Sequence, residues 1–146
     1  MNEINLYFGK LVTLTNFDWN FFSSKPIRLE FPEKSIVLDI EKNENYMSLI
    51  KNGILRKYFP NENADKTFEL VFAGNFASAY HFYLTRKQST YIIETISPSI
   101  LLCISYSDLQ SYYNLTPIKK TIDKSASEEH FIKKSKLEFA LISLLS

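Results

Sequence analysis

The sequence is poor in the residues from which enzyme sites are usually built. Of 146 residues, two are histidines, one is a cysteine and three are glycines. His81 and His130 are isolated from each other and from any cysteine, which excludes the common metal-ligand clusters, so no metal or other cofactor is expected. Gly9, Gly53 and Gly74 lie too far apart to form a glycine-rich loop around a phosphate. Serines are common, yet there is no Gly-x-Ser-x-Gly elbow and no grouping of serine, histidine and acid. The expectation is a protein that is not an enzyme. Cys103 has no partner for an intrachain disulfide, and its place in the apolar run ILLCI marks a buried, inert thiol.

Charge of one sign and long apolar runs are also scarce. Seventeen basic residues balance sixteen acidic ones, for a formal net charge of +1. Such a chain projects no global field toward nucleic acid or a membrane surface. No window approaches the ~20 apolar residues of a spanning helix. The opening MNEINLYFGK carries an acidic residue and no signal-peptide core, so the cytoplasm is the expected location. What the sequence has in quantity is packing material: 45% of residues are hydrophobic and 15% aromatic. That composition and length fit one folded soluble domain with a substantial core.

Residues 4 to 12 place Ile4, Leu6, Tyr7, Phe8, Leu11 and Val12 in a loosely helical pattern. Thr15 with Asp18 forms a capping-box-like start for a short helix carrying Phe17, Trp19, Phe21 and Phe22, which Pro26 ends. Its aromatics are expected to pack against the β structure. From there the period changes to two, predicting strands over 27–31 and 36–40. Residues 41–45 read as a polar loop. Strands resume over 46–50 and 54–59, joined through Lys51-Asn52-Gly53 as a hairpin, because Asn-Gly is a strong hairpin signal. Further strands are predicted over 66–72, 89–95 and 100–105. Turns every eight to twelve residues suggest a sandwich or jelly roll. Ser105 or Ser107 can cap a short helix over 108–113. Thr116-Pro117 is a good helix start; Ile118, Ile122, Ala126, Glu129, Ile132 and Leu137 follow near one stripe, with a polar interruption over 125–130. An amphipathic helix of this kind must bury its stripe, and a partner chain is the economical choice.

Between the predicted strands lies GNFASAYHFYLTRKQSTY, Gly74 to Tyr91, which reads as a short helical turn and loop enclosed by β structure. Together with KNGILRKYF at 51–59 and IIETISPSILLCISYSDL at 92–109, it resembles the cyclic-nucleotide-binding β-roll of the Crp/Fnr transcription regulators, from about Leu11 to the end. The resemblance implies a mainly β fold with flanking helices. A double-stranded β-helix, or jelly roll, would occupy 1–115, with a long dimerisation helix and the start of a hinge over 116–146. Homodimer contacts would fall at Ile118, Ile122, Ala126 and Ile132, and Ser125 or Ser127 could help sense a ligand. DNA would be met only through a head outside this chain.

The resemblance places Gly74, Phe76, Ser78, Ala79, Tyr80, Gln88, Ser89 and Thr90 toward a ligand. In the family's nucleotide-binding form, a Gly-Glu pair holds the ribose and an Arg-Ser or Arg-Thr pair clamps the cyclic phosphate. Matching Gly74 and Ser89 puts Ala79 at the glutamate and Gln88 at the arginine. Glutamine offers a phosphate no charged fork, so weak or no cyclic AMP binding is expected. Arg86 could substitute only if the loop register slipped. Ser78, Ser89 and Thr90 could bond a ligand or satisfy nearby backbone. His81 reads as a polar plug of the pocket mouth or as an interior ring. Glu94 reads as an outward, solvated carboxylate or else as a pocket carboxylate, and Arg56 as an outward charge balancing Glu69 or else as an inward partner for an anion. The implied function is the effector-sensing and dimerisation domain of a bacterial transcription regulator, with an unidentified small-molecule effector. The alternative is a stand-alone roll that binds a protein partner or another small ligand without touching DNA.

Overall fold

The structure is a computed structural model and describes residues 14–115 together with 137, 140 and 141. The expected helical stretch at 4–12 and the four expected dimer contacts lie outside the described residues. The chain divides into two compact units, one of residues 1–25 with 107–146 and the other of residues 26–106.

The second unit is the β body. Its strands are β1 (Ile27–Phe31), β2 (Ile36–Leu38), β3 (Tyr46–Asn52), β4 (Ile54–Phe59), β5 (Lys66–Phe72), β6 (Ile92–Thr95) and β7 (Ser99–Ser105). They form a three-stranded sheet in the order β1-β7-β3 and a four-stranded sheet in the order β2-β6-β4-β5. Every pairing is antiparallel. Period-two alternation supplies the core. Leu55, Val71 and Ile93 from the larger sheet join Ile50, Leu101 and Cys103 from the smaller one, with Leu38 on β2. The Cys103 thiol is buried and accepts a hydrogen bond from Ser48 Oγ at 3.2 Å.

The outer face of the larger sheet alternates the other way. Register sets Ile36, Glu94, Arg56 and Leu70 in one row across four strands. Arg56 there pairs with Glu94 at 2.9 Å and also reaches Asp65 at 3.5 Å. Glu94 is therefore outward, as expected, but Glu69 is not Arg56's partner: Glu69 lies 3.8 Å from Lys57. The reason is the pleat, since Lys57 and Glu69 are cross-strand partners one residue further along and project to the opposite face from Arg56.

Two further expectations are corrected. Lys51-Asn52-Gly53 is not a hairpin, because β3 pairs with β7 while β4 pairs with β5 and β6. Gly53, at φ +105°, carries the chain from one sheet to the other. The strand expected over 36–40 stops at Leu38, and Asp39 Oδ1 takes the Ile40 amide at 2.8 Å, removing a donor from the ladder.

In the first unit, α1 (Asn16–Ser24) begins with a reciprocal capping box: Thr15 Oγ1 accepts the Asp18 amide at 3.2 Å, and Asp18 Oδ2 accepts the Thr15 amide at 2.8 Å. Among its aromatic partners is Tyr112, of the helix Tyr106–Leu115. Phe21 and Phe22 lie 4.7 and 4.8 Å from the Tyr112 ring centre. The Tyr112 hydroxyl donates to Asp18 Oδ1, so one carboxylate both caps the helix and anchors the ring. Among the described residues no helix is long and apolar enough to cross a membrane.

Candidate functional site

The insert between β5 and β6 begins where Gly74, at φ +90°, turns the chain back along the outer edge of β3. Its amide donates to Ile50 O at 2.8 Å, Ile50 N donates to Asn75 O at 3.0 Å, and Ala77 N donates to Ser48 O at 2.9 Å. Ser78 completes the edge with its side chain, accepting from Ser48 N and donating to Tyr46 O, both at 2.8 Å. An edge strand's exposed amides and carbonyls need partners, and the start of the insert supplies them.

The insert then enters α2 (Tyr80–Thr85), whose N-cap Ala79 has no side-chain oxygen to offer. A carboxyl group from another segment holds the amide of the N-cap residue itself, not the first-turn amides that a capping side chain would take. Glu44 Oε2 accepts the Ala79 amide at 3.0 Å, while Oε1 accepts the Tyr46 amide at 3.3 Å. Glu44 is only 7% exposed, and so is Lys57. Lys57 Nζ donates to the Ser78 carbonyl at 3.1 Å and lies 5.9 Å from the centre of the Tyr91 ring.

At the far end Arg86, left-handed at φ +60°, ends the helix. Its guanidinium donates to Glu44 O at 2.9 Å, Tyr83 O at 3.2 Å and Asn45 Oδ1 at 2.7 Å. It also covers the Tyr106 ring at 3.7 Å, where α3 (Tyr106–Leu115) begins. Asn43 Nδ2 returns a bond to Arg86 O at 3.0 Å. Beyond it, the mouth of the insert is an aromatic corner in which Phe59, Phe68 and Phe82 gather around Tyr91 at 5.1 to 6.2 Å.

Burial raises the Glu44 carboxyl above its ordinary value, against the Ala79 and Tyr46 amides and the Lys57 and Arg86 cations, which pull it down. Burial lowers Lys57, opposed by Glu69 and Glu44. The Tyr91 hydroxyl is pushed up to about 12 by burial and by the same two carboxylates. A carboxyl whose folded value lies above its unfolded one favours the folded state fully at pH below the unfolded value. That contribution is lost as pH rises through the folded value. The stability of the wild type relative to Glu44→Gln is therefore expected to be greatest near pH 4 and to decline toward neutrality, as read from denaturant midpoints across that range. An advantage that grows with pH would show that the amides and cations outweigh burial.

The expected ligand-facing residues divide. Ser78 and Ala79 are buried beside Glu44 and Lys57, and Phe76 forms an isolated bridge with Leu49. Tyr80 stacks on Tyr83 with ring centres 6.5 Å apart. Ser89 is buried, and its hydroxyl donates to Tyr91 O at 2.7 Å. Gly74, Gln88 and Thr90 are exposed, with Gln88 bridged to Asn43. His81 is exposed with its ring edge-on to Phe82, so it is not an interior ring. Sequence reasoning missed Glu44 and Lys57. Lys57 was visible as a charge at an inward position of an alternating strand, whereas nothing local to EKNEN marks Glu44 for burial.

Two antiparallel sheets, with a helix-containing insert before β6, make up a β-roll. The solved structures that share it include the Thermus thermophilus catabolite activator protein, at TM-score 0.61 and 13% identity, covering 90% of this chain and 55% of that one. The N-terminal domain of a transcriptional regulator from Streptomyces coelicolor A3(2) matches at TM-score 0.60 and 11% identity, over 91% of this chain and 85% of that one. The CO-dependent transcription factor CooA from Carboxydothermus hydrogenoformans matches at TM-score 0.54 and 14% identity, over 89% and 51%. The chain thus spans about half the length of the activator protein and of CooA. No protein-family model matches the sequence, and no curated protein sequence does either.

Proposed function

We propose that this chain is the effector-sensing and dimerisation domain of a Crp/Fnr-like bacterial transcription regulator, and that its insert does not bind cyclic AMP. The fold supports the first part. The observation that carries the second is Arg86, whose guanidinium is committed to Glu44 O, Tyr83 O, Asn45 Oδ1 and the Tyr106 ring. A cyclic phosphate withdrawn from water needs a charged fork, and Gln88 is exposed and neutral. Residues 116–141 would pair across a two-fold axis, and DNA would be reached through a separate head.

Because Arg86 bonds the insert and covers Tyr106, movement of the insert has a direct route to the start of α3. Any such signal requires a ligand that favours one arrangement over the other. Cyclic AMP at ~1 mM is expected to leave the melting temperature unchanged. A ligand present at about a hundred times its dissociation constant would stabilise by about 2.7 kcal/mol and shift the melting temperature by several degrees. Sedimentation of the same protein is expected to give a dimer.

The second reading, a roll that binds a protein partner without DNA, has one observation in its favour. Ile36, Leu70 and Phe72 stand 45 to 50% exposed on the outer face of the larger sheet. A monomer that ignores cyclic AMP would favour that reading over the first.

A further inference from the structure

We propose that Glu44 is a tethered occupant of an anion seat inside the roll, built from the Ala79 and Tyr46 amides with Lys57 beside them, so that this chain supplies its own ligand. The inference rests on reading the insert as the effector position of this fold, and it names what fills that position. The seat draws on separated segments, since Tyr46 opens β3, Lys57 lies on β4 and Ala79 precedes α2. The occupant comes from a fourth, the loop over 41–45. Each Glu44 oxygen accepts one amide, at 3.0 and 3.3 Å, and the side chain is 7% exposed.

That loop is fastened on both sides. Glu41 N donates to Ser89 O at 2.9 Å, Ser89 N donates to Lys42 O at 2.8 Å, and Arg86 holds Glu44 O and Asn45 Oδ1. Ser78 sits in the floor of the seat, giving its carbonyl to Lys57 and its hydroxyl to the β3 edge. An external anion can enter only by displacing Glu44. The ligand class the seat would then accept is a small carboxylate, such as formate or acetate, which reproduces the geometry of the group removed.

Glu44→Ala tests this. Its melting temperature is expected to fall by roughly 5–15 °C, because one buried and one partly buried amide lose their acceptor. Sodium formate at ~100 mM should then restore about a third or more of the loss, relative to sodium chloride at equal ionic strength. The same salt should move wild type and Glu44→Gln, whose seats are filled, by less than about 1 °C. Equal formate effects on all three proteins, or none on Glu44→Ala, would overturn the proposal. If Glu44→Ala does not fold, the wild type still decides. The Ala79 and Tyr46 amide protons should titrate with one common pH midpoint that is absent in Glu44→Gln, and independent or flat behaviour sinks the idea. The charged and titratable groups that act on Glu44 during that titration are Lys57, Arg86, Tyr91 and Cys103, with Glu69 acting on Lys57. Cyclic AMP binding to the wild type would defeat the proposed function, while failure of formate rescue alone would defeat only the tethered ligand.

Discussion

Gly53→Ala is expected to cost about 3 kcal/mol or more of folding stability, the larger of the losses expected at the two described glycines. Two penalties combine at this position. At φ +105° an L side chain is strained wherever it points, at about 1–3 kcal/mol. The new Cβ would also stand 2.2 Å from Ser99 Oγ and 2.8 Å from Ser99 Cα. The hydroxyl could rotate away, but the backbone atom could not move without shifting the start of β7. Gly74→Ala isolates the first penalty, because Gly74 has φ +90° and nothing lies within 4 Å of where its added methyl group would stand. It should lose only about 1–2 kcal/mol. Urea midpoints of the two variants measure the difference, and equal losses would show that Ser99 yields at no cost.

The same glycine shows how far the sequence could be read. Asn52-Gly53 correctly signals a tight reversal with positive φ, and local chemistry supports nothing beyond that. Whether the next strand lies beside the previous one or crosses to a second sheet depends on partners far along the chain, here β7 for β3 and β6 for β4. The strand segments and the capping box at Thr15 were legible because each is written in adjacent residues. The resemblance that ordered them into a roll rested on the sequence of segments; the two-sheet roll it implied is present, while the long helix it implied over 116–146 falls largely outside the described residues.

The site was less legible for the same physical reason. Aligning Gly74 and Ser89 directed attention to Ala79 and Gln88, the positions where charge had been lost. The charge that fills the insert comes instead from Glu44 and Lys57, which lie 35 and 21 residues from their partners Ala79 and Ser78. A polar tract such as EKNEN reads as solvent-facing until something outside it offers buried amides. Arg86 was legible as the nearest cation to the missing clamp. Its left-handed backbone, however, turns the guanidinium toward the 44–45 segment and the Tyr106 ring, where it fastens protein to protein.

Ser78→Ala is expected to destabilise the protein by about 2–4 kcal/mol, far beyond what an ordinary loop serine contributes. The hydroxyl of Ser78 serves two backbone groups of β3 at once, the Ser48 amide and the Tyr46 carbonyl, each at 2.8 Å. Ser78 is buried, so water does not readily replace either bond, and an unpaired buried group costs about 1–3 kcal/mol. The loss should be local before it is global. The Ser48 and Ala77 amides lie along the seam between the insert and the β3 edge. Their hydrogen exchange should accelerate in the variant, while amides in the β4–β5 pairing keep wild-type protection. Combining Ser78→Ala with Glu44→Ala extends the test. The two side chains hold consecutive residues of one segment, so a double-mutant cycle should show a coupling of about 0.5 kcal/mol or more. Strict additivity would mean that the seam and the Glu44 contact are independent, and that the insert does not move as one body.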